Sequence, residues 1–157
     1  MTAEVARWWG DPAKELALLK DDLDEPLMRQ WIVEHNERPF SYVQAYEAHA
    51  WPQLHLQHLT PGTLVIDAFV GEPDMLGCGH GSAFLRLFAT ILITEGAPAV
   101  AIDPDVDNIR AKRAYARAGF AEAGVLHAKE GPVALMLFRE DVARRHNTSL
   151  PTTRSIP

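Results

Sequence analysis

The sequence predicts an α/β fold with mixed strand directions, on three observations. A near-continuous apolar run at 63–70, TLVIDAFV, suits a central strand covered on both faces. A glycine triplet, Gly77, Gly79 and Gly81, then opens an apolar helical stretch. A second short apolar segment, AVAID at 99–103, stops at Pro104 and is followed by another helical pattern, so strands and helices alternate through the middle of the chain.

The earlier elements follow from local signals. Asp11 before Pro12 reads as a helix N-cap with proline at the first helical position. Leu16, Leu19 and Leu23 mark one face of a helix over 12–23. Residues 29–34 and 39–47 read as two strands joined by the polar turn around Asn36. The stretch 48–62 contains Pro52 and Pro61 and no clean period, which predicts a loop over the surface. After Gly81, the spacing of Phe84, Phe88 and Ile91, with Leu85 and Leu92 beside them, predicts a helix packed on a sheet. Asn108 is placed to cap a helix over 109–118, and Gly119-Phe120 supplies a Schellman-type end. Strands at 122–128 and 132–139 flank a turn at Glu130-Gly131.

Bulk properties bound the function. At 157 residues the chain is long enough to bury about 70% of its extended surface in one domain, expected over 1–143. The stretch 144–157 has too little apolar content to order itself and is expected to be a flexible tail. No apolar run nears the roughly 20 residues that span a bilayer, and no signal-peptide pattern opens the chain, so no membrane partner is expected. Cys78 is the single cysteine, which excludes an internal disulfide and fits a cytoplasmic setting. Fifteen basic against 21 acidic residues leave a net charge of −6, which argues against nucleic acid and suits a cationic substrate. A monomer or homodimer is expected.

The glycine triplet has two readings. Glycine admits positive φ and close backbone approach, and a helix start offers unpaired N–H groups, so a pyrophosphate would sit well there. The other reading is a turn that merely lets the helix pack tightly. No Lys-Ser/Thr pair follows at Walker A spacing, and the context is wrong for a dinucleotide fingerprint. Asp67 interrupts an apolar strand and must be paired, solvated or functional. Burial would lift its pKa toward a value useful for a base. Asp103 ends the next strand, so the two carboxylates would form an acidic pocket beside the loop, unless Asp103 merely caps a turn. Tyr115 lies one turn before a helix end, either packing in the core or facing a reacting group.

Other signals are set aside. His49, His55 and His58 cluster in the 48–62 stretch, but no acid or cysteine stands in register, so they are read as solvated and no metal is expected. Cys78 and His80 lack an orienting third group and are not read as a nucleophilic pair. Arg144-Arg145 and the Asn147 sequon are read as incidental.

The runs IDAFV with LGCGHGSAFLRL, and above all IDPDVDNIRAKRAYARAGF, resemble the GNAT superfamily of acyl-coenzyme A N-acyltransferases. Within it the chain is similar to the aminoglycoside 6′-N-acetyltransferases of the Ib type, with further support from RWWGDP and WIVEHNERPFSYVQAYE. The resemblance implies a mixed sheet that splays at an acetyl-coenzyme A site, with helices on both faces. It implies that the backbone of Ala68, Phe69 and Val70 pairs with the pantetheine arm. The N–H groups of Cys78, Gly79, His80, Gly81 and Ser82 would hold the pyrophosphate, and Asn108 would contact the cofactor arm. Asp67 matches the base and amine anchor, Tyr115 the residue facing sulfur, and Asp103 and Trp9 amine-sugar contacts. Trp8, Tyr46 and Trp51 are plausible additions to that site. The family's first strand should precede the RWW segment, where only six residues stand. Either residues upstream of Met1 are missing or the sheet lacks an edge strand, in which case the edge at 29–34 would need cover by the tail or a partner.

The expected function is acetyl transfer from acetyl-coenzyme A to a primary amine by direct transfer in a ternary complex, with an aminoglycoside 6′-amine as acceptor. Competing expectations are another amine (polyamine, siderophore hydroxylamine or protein N-terminus) or a non-catalytic coenzyme A-binding domain.

Overall fold

The computed structural model describes residues 3–141, and the expectations for the tail lie outside them. Helices α1 (Ala3–Trp9) and α2 (Pro12–Asp21) lead into strands β1 (Met28–His35), β2 (Arg38–Glu47) and β3 (Leu64–Val70). Helix α3 (His80–Thr94), strand β4 (Val100–Ile102), helix α4 (Ile109–Ala118) and strands β5 (Phe120–Ala128) and β6 (Gly131–Phe138) complete the order. The caps form as their residue types dictate. Asp11 accepts from the N–H groups of Ala13 and Lys14 at 3.1 and 3.0 Å. Asn108 Oδ1 accepts from Ala111 N–H at 3.1 Å, and Gly119 closes α4 at φ 109°.

The six strands form one sheet in the order β1-β2-β3-β4-β6-β5. β2 and β3 are antiparallel over seven pairs, from Ser41–Val70 to Glu47–Leu64. β3 and β4 are parallel and pair only at Leu64–Val100 and Val65–Ala101. Beyond Val65 the sheet therefore opens, with β3 still bonded to β2 on its other side. Backbone alternation shows which groups face the gap. Leu64 N–H donates to Ala99 on the β4 side, whereas Thr63 accepts from Ala48 and Gly71 donates to Phe40 on the β2 side. Even-numbered Ala68 and Val70 thus aim their backbone groups into the opening, and Phe69 aims its own toward β2.

One face of the sheet carries α3 and α4 over a core that includes Val43, Ile66, Leu92, Phe120 and Met136. On the other face Val65, Ala101 and Leu135 pack with Leu56 and Leu59, and Trp9 at the end of α1 meets Phe69 at 4.8 Å.

Three expectations are corrected. The buried stripe of α3 is Ser82, Leu85, Ala89 and Leu92, with Phe84 and Phe88 packed at its side, whereas Ile91 is 42% exposed and falls outside the expected face. The 48–62 stretch is not a surface loop throughout, because a 3₁₀ turn at Leu54–Leu56 drives Leu56 to full burial. The solvated reading of His55 fails with it, as its side chain is 10% exposed and bonded to Asp103. Where a first strand was sought, α1 stands instead, and β1 is a sheet edge. Its exposed Ile32 and a register shift between Val33 and Glu34 fit an edge whose pairing is interrupted.

Candidate active site

Two clefts meet where β3 and β4 part. The first runs along Ala68, Phe69 and Val70, past Gly77, Gly79, Gly81 and Ser82, to Asn108 and Tyr115. Gly77 and Gly79 have φ of 80° and 87°, a region that costs any residue with a Cβ. Gly79 is the N-cap of α3 without a side-chain cap bond, so the first N–H groups of the helix point into the loop unpaired within it. Gly81 lies against Val70, where an added Cβ would stand 3.5 Å from the valine Cγ2. Among the described residues, the charged side chains lining this cleft are Arg110 and Arg117. Cys78 is exposed, and the His80 ring packs on His35 at 4.5 Å; neither side chain is among the cleft walls.

The second cleft, about 380 Å³, is of the size that small ligands occupy. Among the described residues, five carboxylates line it, from Glu15, Asp67, Asp103, Asp105 and Glu130, and neither lysine nor arginine does. Trp8, Trp9, Ala68, Asn108 and Tyr115 belong to both clefts. Tyr46 and Trp51 do not line either; they pack edge to face at 5.3 Å in the second core cluster.

The register of β2 on β3 sets Gln44 opposite Asp67, and Gln44 Nε2 donates to Asp67 Oδ2 at 2.9 Å. Tyr42 in turn donates its hydroxyl to Gln44 Oε1 at 2.6 Å, which fixes the amide's orientation. Burial and the neighbouring Asp103 charge raise the Asp67 carboxyl to about 6, against the pull of the Gln44 bond. Burial likewise raises Asp103 to about 6. Burial pushes the Tyr115 hydroxyl well above the ordinary phenol value, and the two aspartates add to it. That tyrosine therefore keeps its proton at neutral pH.

Sequence reasoning missed Gln44, His55, Glu15 and Glu130. Gln44 was visible only as one polar residue in a strand, and its pairing with Asp67 depends on register. The other three come from distant segments.

An open parallel pair beside a glycine-mouthed helix is the arrangement that a known family uses. The acetyltransferase (GNAT) domain family matches residues 1–127. The chain belongs to the GNAT acetyltransferase family. This GNAT chain is 26% identical over 147 residues to aminoglycoside N(6′)-acetyltransferase type 1 of Klebsiella pneumoniae, covering 86% of itself and 72% of that relative. It is 31% identical over 78 residues to a kanamycin resistance protein of Rhizobium radiobacter, covering 49% of itself and 72% of that protein. Its structure is similar to that of aminoglycoside acetyltransferase AAC(6′)-Ib in complex with coenzyme A and kanamycin. The TM-score is 0.80 at 26% identity, over 92% of this chain and 87% of that one. Among the described residues no helix is long and apolar enough to cross a membrane, and no cluster of three or more His, Cys, Asp or Glu could hold a metal.

Proposed function

We propose that this GNAT enzyme acetylates the 6′-amine of an aminoglycoside, with acetyl-coenzyme A as donor. The observation that carries the reading is the division of charge between the clefts. A wall of five carboxylates, with no lysine or arginine among the described residues that line it, attracts a polycation. The adjoining cleft, with a glycine loop and two arginines, suits a phosphorylated arm.

The free backbone groups of Ala68 and Val70 fit an amide-bearing chain laid along β3, and the N–H groups at the start of α3 fit its pyrophosphate. Of the three β3 residues expected to pair with that arm, Phe69 contributes its side chain to the wall rather than its backbone. Acetyl-coenzyme A supplies the acetyl group and leaves as the thiol. Asp67 anchors the acceptor ammonium and takes its proton, directly or through a water. A pKa near 6 leaves Asp67 ionised at neutral pH, yet closer to the working pH than an exposed aspartate. A backbone N–H of β3 polarises the carbonyl under attack. Tyr115 donates a hydrogen bond toward the departing sulfur without surrendering its proton. Asp103 holds a second ammonium and Trp9 offers a flat apolar wall to the sugar.

Purified protein incubated with acetyl-coenzyme A and a panel of amines, read by thiol release, tests the assignment. Aminoglycosides should outpace polyamines and peptide N-termini. A faster reaction with spermidine than with kanamycin would reassign the acceptor, and cofactor binding without thiol release would leave only a binding domain.

A further inference from the structure

The 3₁₀ turn at Leu54–Leu56 sends three consecutive side chains in three directions. Leu54 is 88% exposed, and Leu56 is fully buried in the second core cluster. His55, between them, reaches Asp103 with Nε2 3.1 Å from Oδ2. Both side chains are nearly closed to solvent, at 10% and 13% exposure. Asp103 lines the acidic cleft and His55 does not, so the imidazole stands behind the carboxylate.

Resting on the acceptor reading above, we infer that His55 is a positioning residue that orients Asp103 toward a substrate ammonium by donating Nε2–H to it. Burial keeps the imidazole below its ordinary pKa, with Glu130 pulling the other way, so the ring is neutral at pH 7. A neutral donor matters here. It fixes one oxygen of Asp103 while leaving the full negative charge for the cleft, whereas an arginine or lysine would cancel that charge. Among the described residues, Asp67 on β3, Tyr46 on β2 and Tyr115 on α4 each feel the Asp103 charge, and Glu15, Asp105 and Glu130 line the same cleft. None of these supplies a cation. Leu56, seated in the core, anchors the turn and sets the height of the ring.

Two measurements test the role. In the nitrogen NMR spectrum of the ligand-free chain at pH 7, His55 should appear as the neutral Nε2–H tautomer, and Asp103→Asn should shift its ring signals. An Nδ1–H tautomer or an imidazolium overturns the role of His55 as a neutral Nε2–H donor. In steady-state kinetics His55→Ala should raise KM for kanamycin roughly five- to twentyfold, because a positioning contact passes on only part of the worth of one charge-assisted hydrogen bond. Its kcat and its KM for acetyl-coenzyme A should stay within about twofold, and His55→Gln, which keeps an N–H donor, should recover most of the loss. An unchanged KM for kanamycin overturns the inference, as does a loss spread over all three parameters that glutamine does not repair. If the wild-type chain turns over no aminoglycoside, the acceptor reading falls and this role with it. If the wild-type chain is active and His55→Ala is indifferent, this role alone falls.

Discussion

The two clefts of this acetyltransferase are built by opposite strategies. The cleft proposed for the cofactor is largely backbone chemistry on neighbouring sequence: β3, the glycine loop and the start of α3 lie within residues 64–82, and α4 supplies a further wall. The acceptor side is side-chain chemistry on scattered sequence, with carboxylates from α2, β3, the end of β4 and the β5–β6 turn. Backbone N–H groups tolerate changes in their own side chains so long as φ is permitted, whereas each carboxylate acts individually. The difference predicts where substitutions will hurt, and which kinetic parameter will register them.

The sharpest break should come at Asp67. Asp67→Asn keeps the shape but removes the base, and should cut kcat/KM for the amine by at least about tenfold, toward the ~10²–10⁴ typical of general-base loss. A wild-type rate would remove Asp67 from the reaction. Tyr115→Phe should follow, lowering kcat roughly 10- to 100-fold with little change in acetyl-coenzyme A affinity. Calorimetry showing the reverse split would make Tyr115 a cofactor contact instead.

Acidity offers a third test. With Asp67 and Asp103 both raised to about 6, kcat/KM for the amine should be level above about pH 7 and fall on acidification through about pH 6. Stability should run the other way. Folded pKa values above the unfolded ones mean that the folded chain binds more protons between about pH 4 and 6. The stability contributed by the protonated groups is therefore complete below about pH 4 and is lost as pH rises through about 6. Asp67→Asn should accordingly raise the melting temperature at pH 7 while removing activity. A lowered melting temperature there would show that the Asp67–Gln44 bond outweighs the burial of charge.

Smaller effects belong to the loop. Gly79→Ala meets no atom within 4 Å, so its only cost is the φ of 87°. That strain of about 1 kcal/mol should raise KM for acetyl-coenzyme A about fivefold and leave the amine KM alone. Cys78→Ser should alter every kinetic parameter by less than about twofold, because that side chain is exposed and outside the cleft. A large Cys78 effect would blur the backbone-versus-side-chain distinction on which the comparison rests.

Much of the cofactor side was legible in the sequence, because its signals are local. An apolar strand, a glycine triplet and an apolar helix in succession leave few other conformations, and Asn108 and Gly119 bracket α4 by capping chemistry alone. The acceptor side was legible at Asp67, anomalous within its apolar strand, at Asp103 where a strand ends, and at Trp8 and Trp9 through the family resemblance. Gln44 was passed over because nothing in LVIDAFV shows which residue of β2 lies opposite. His55 was misread because its turn has no period, and the burial of Leu56 that anchors it depends on β5, β6 and the far side of the sheet.

Sequence by itself determined most of the elements, two of the helix caps, the glycine mouth of α3 and the presence of carboxylates at strand ends. These follow from short-range rules: steric limits on φ, unpaired N–H groups at a helix start, and the periods of buried faces. The tertiary structure alone decided that β3 and β4 part after two residue pairs, that five carboxylates from four segments converge, and that a histidine braces one of them. Such facts depend on strand register and on which long-range contacts close the core, and no local spacing encodes either.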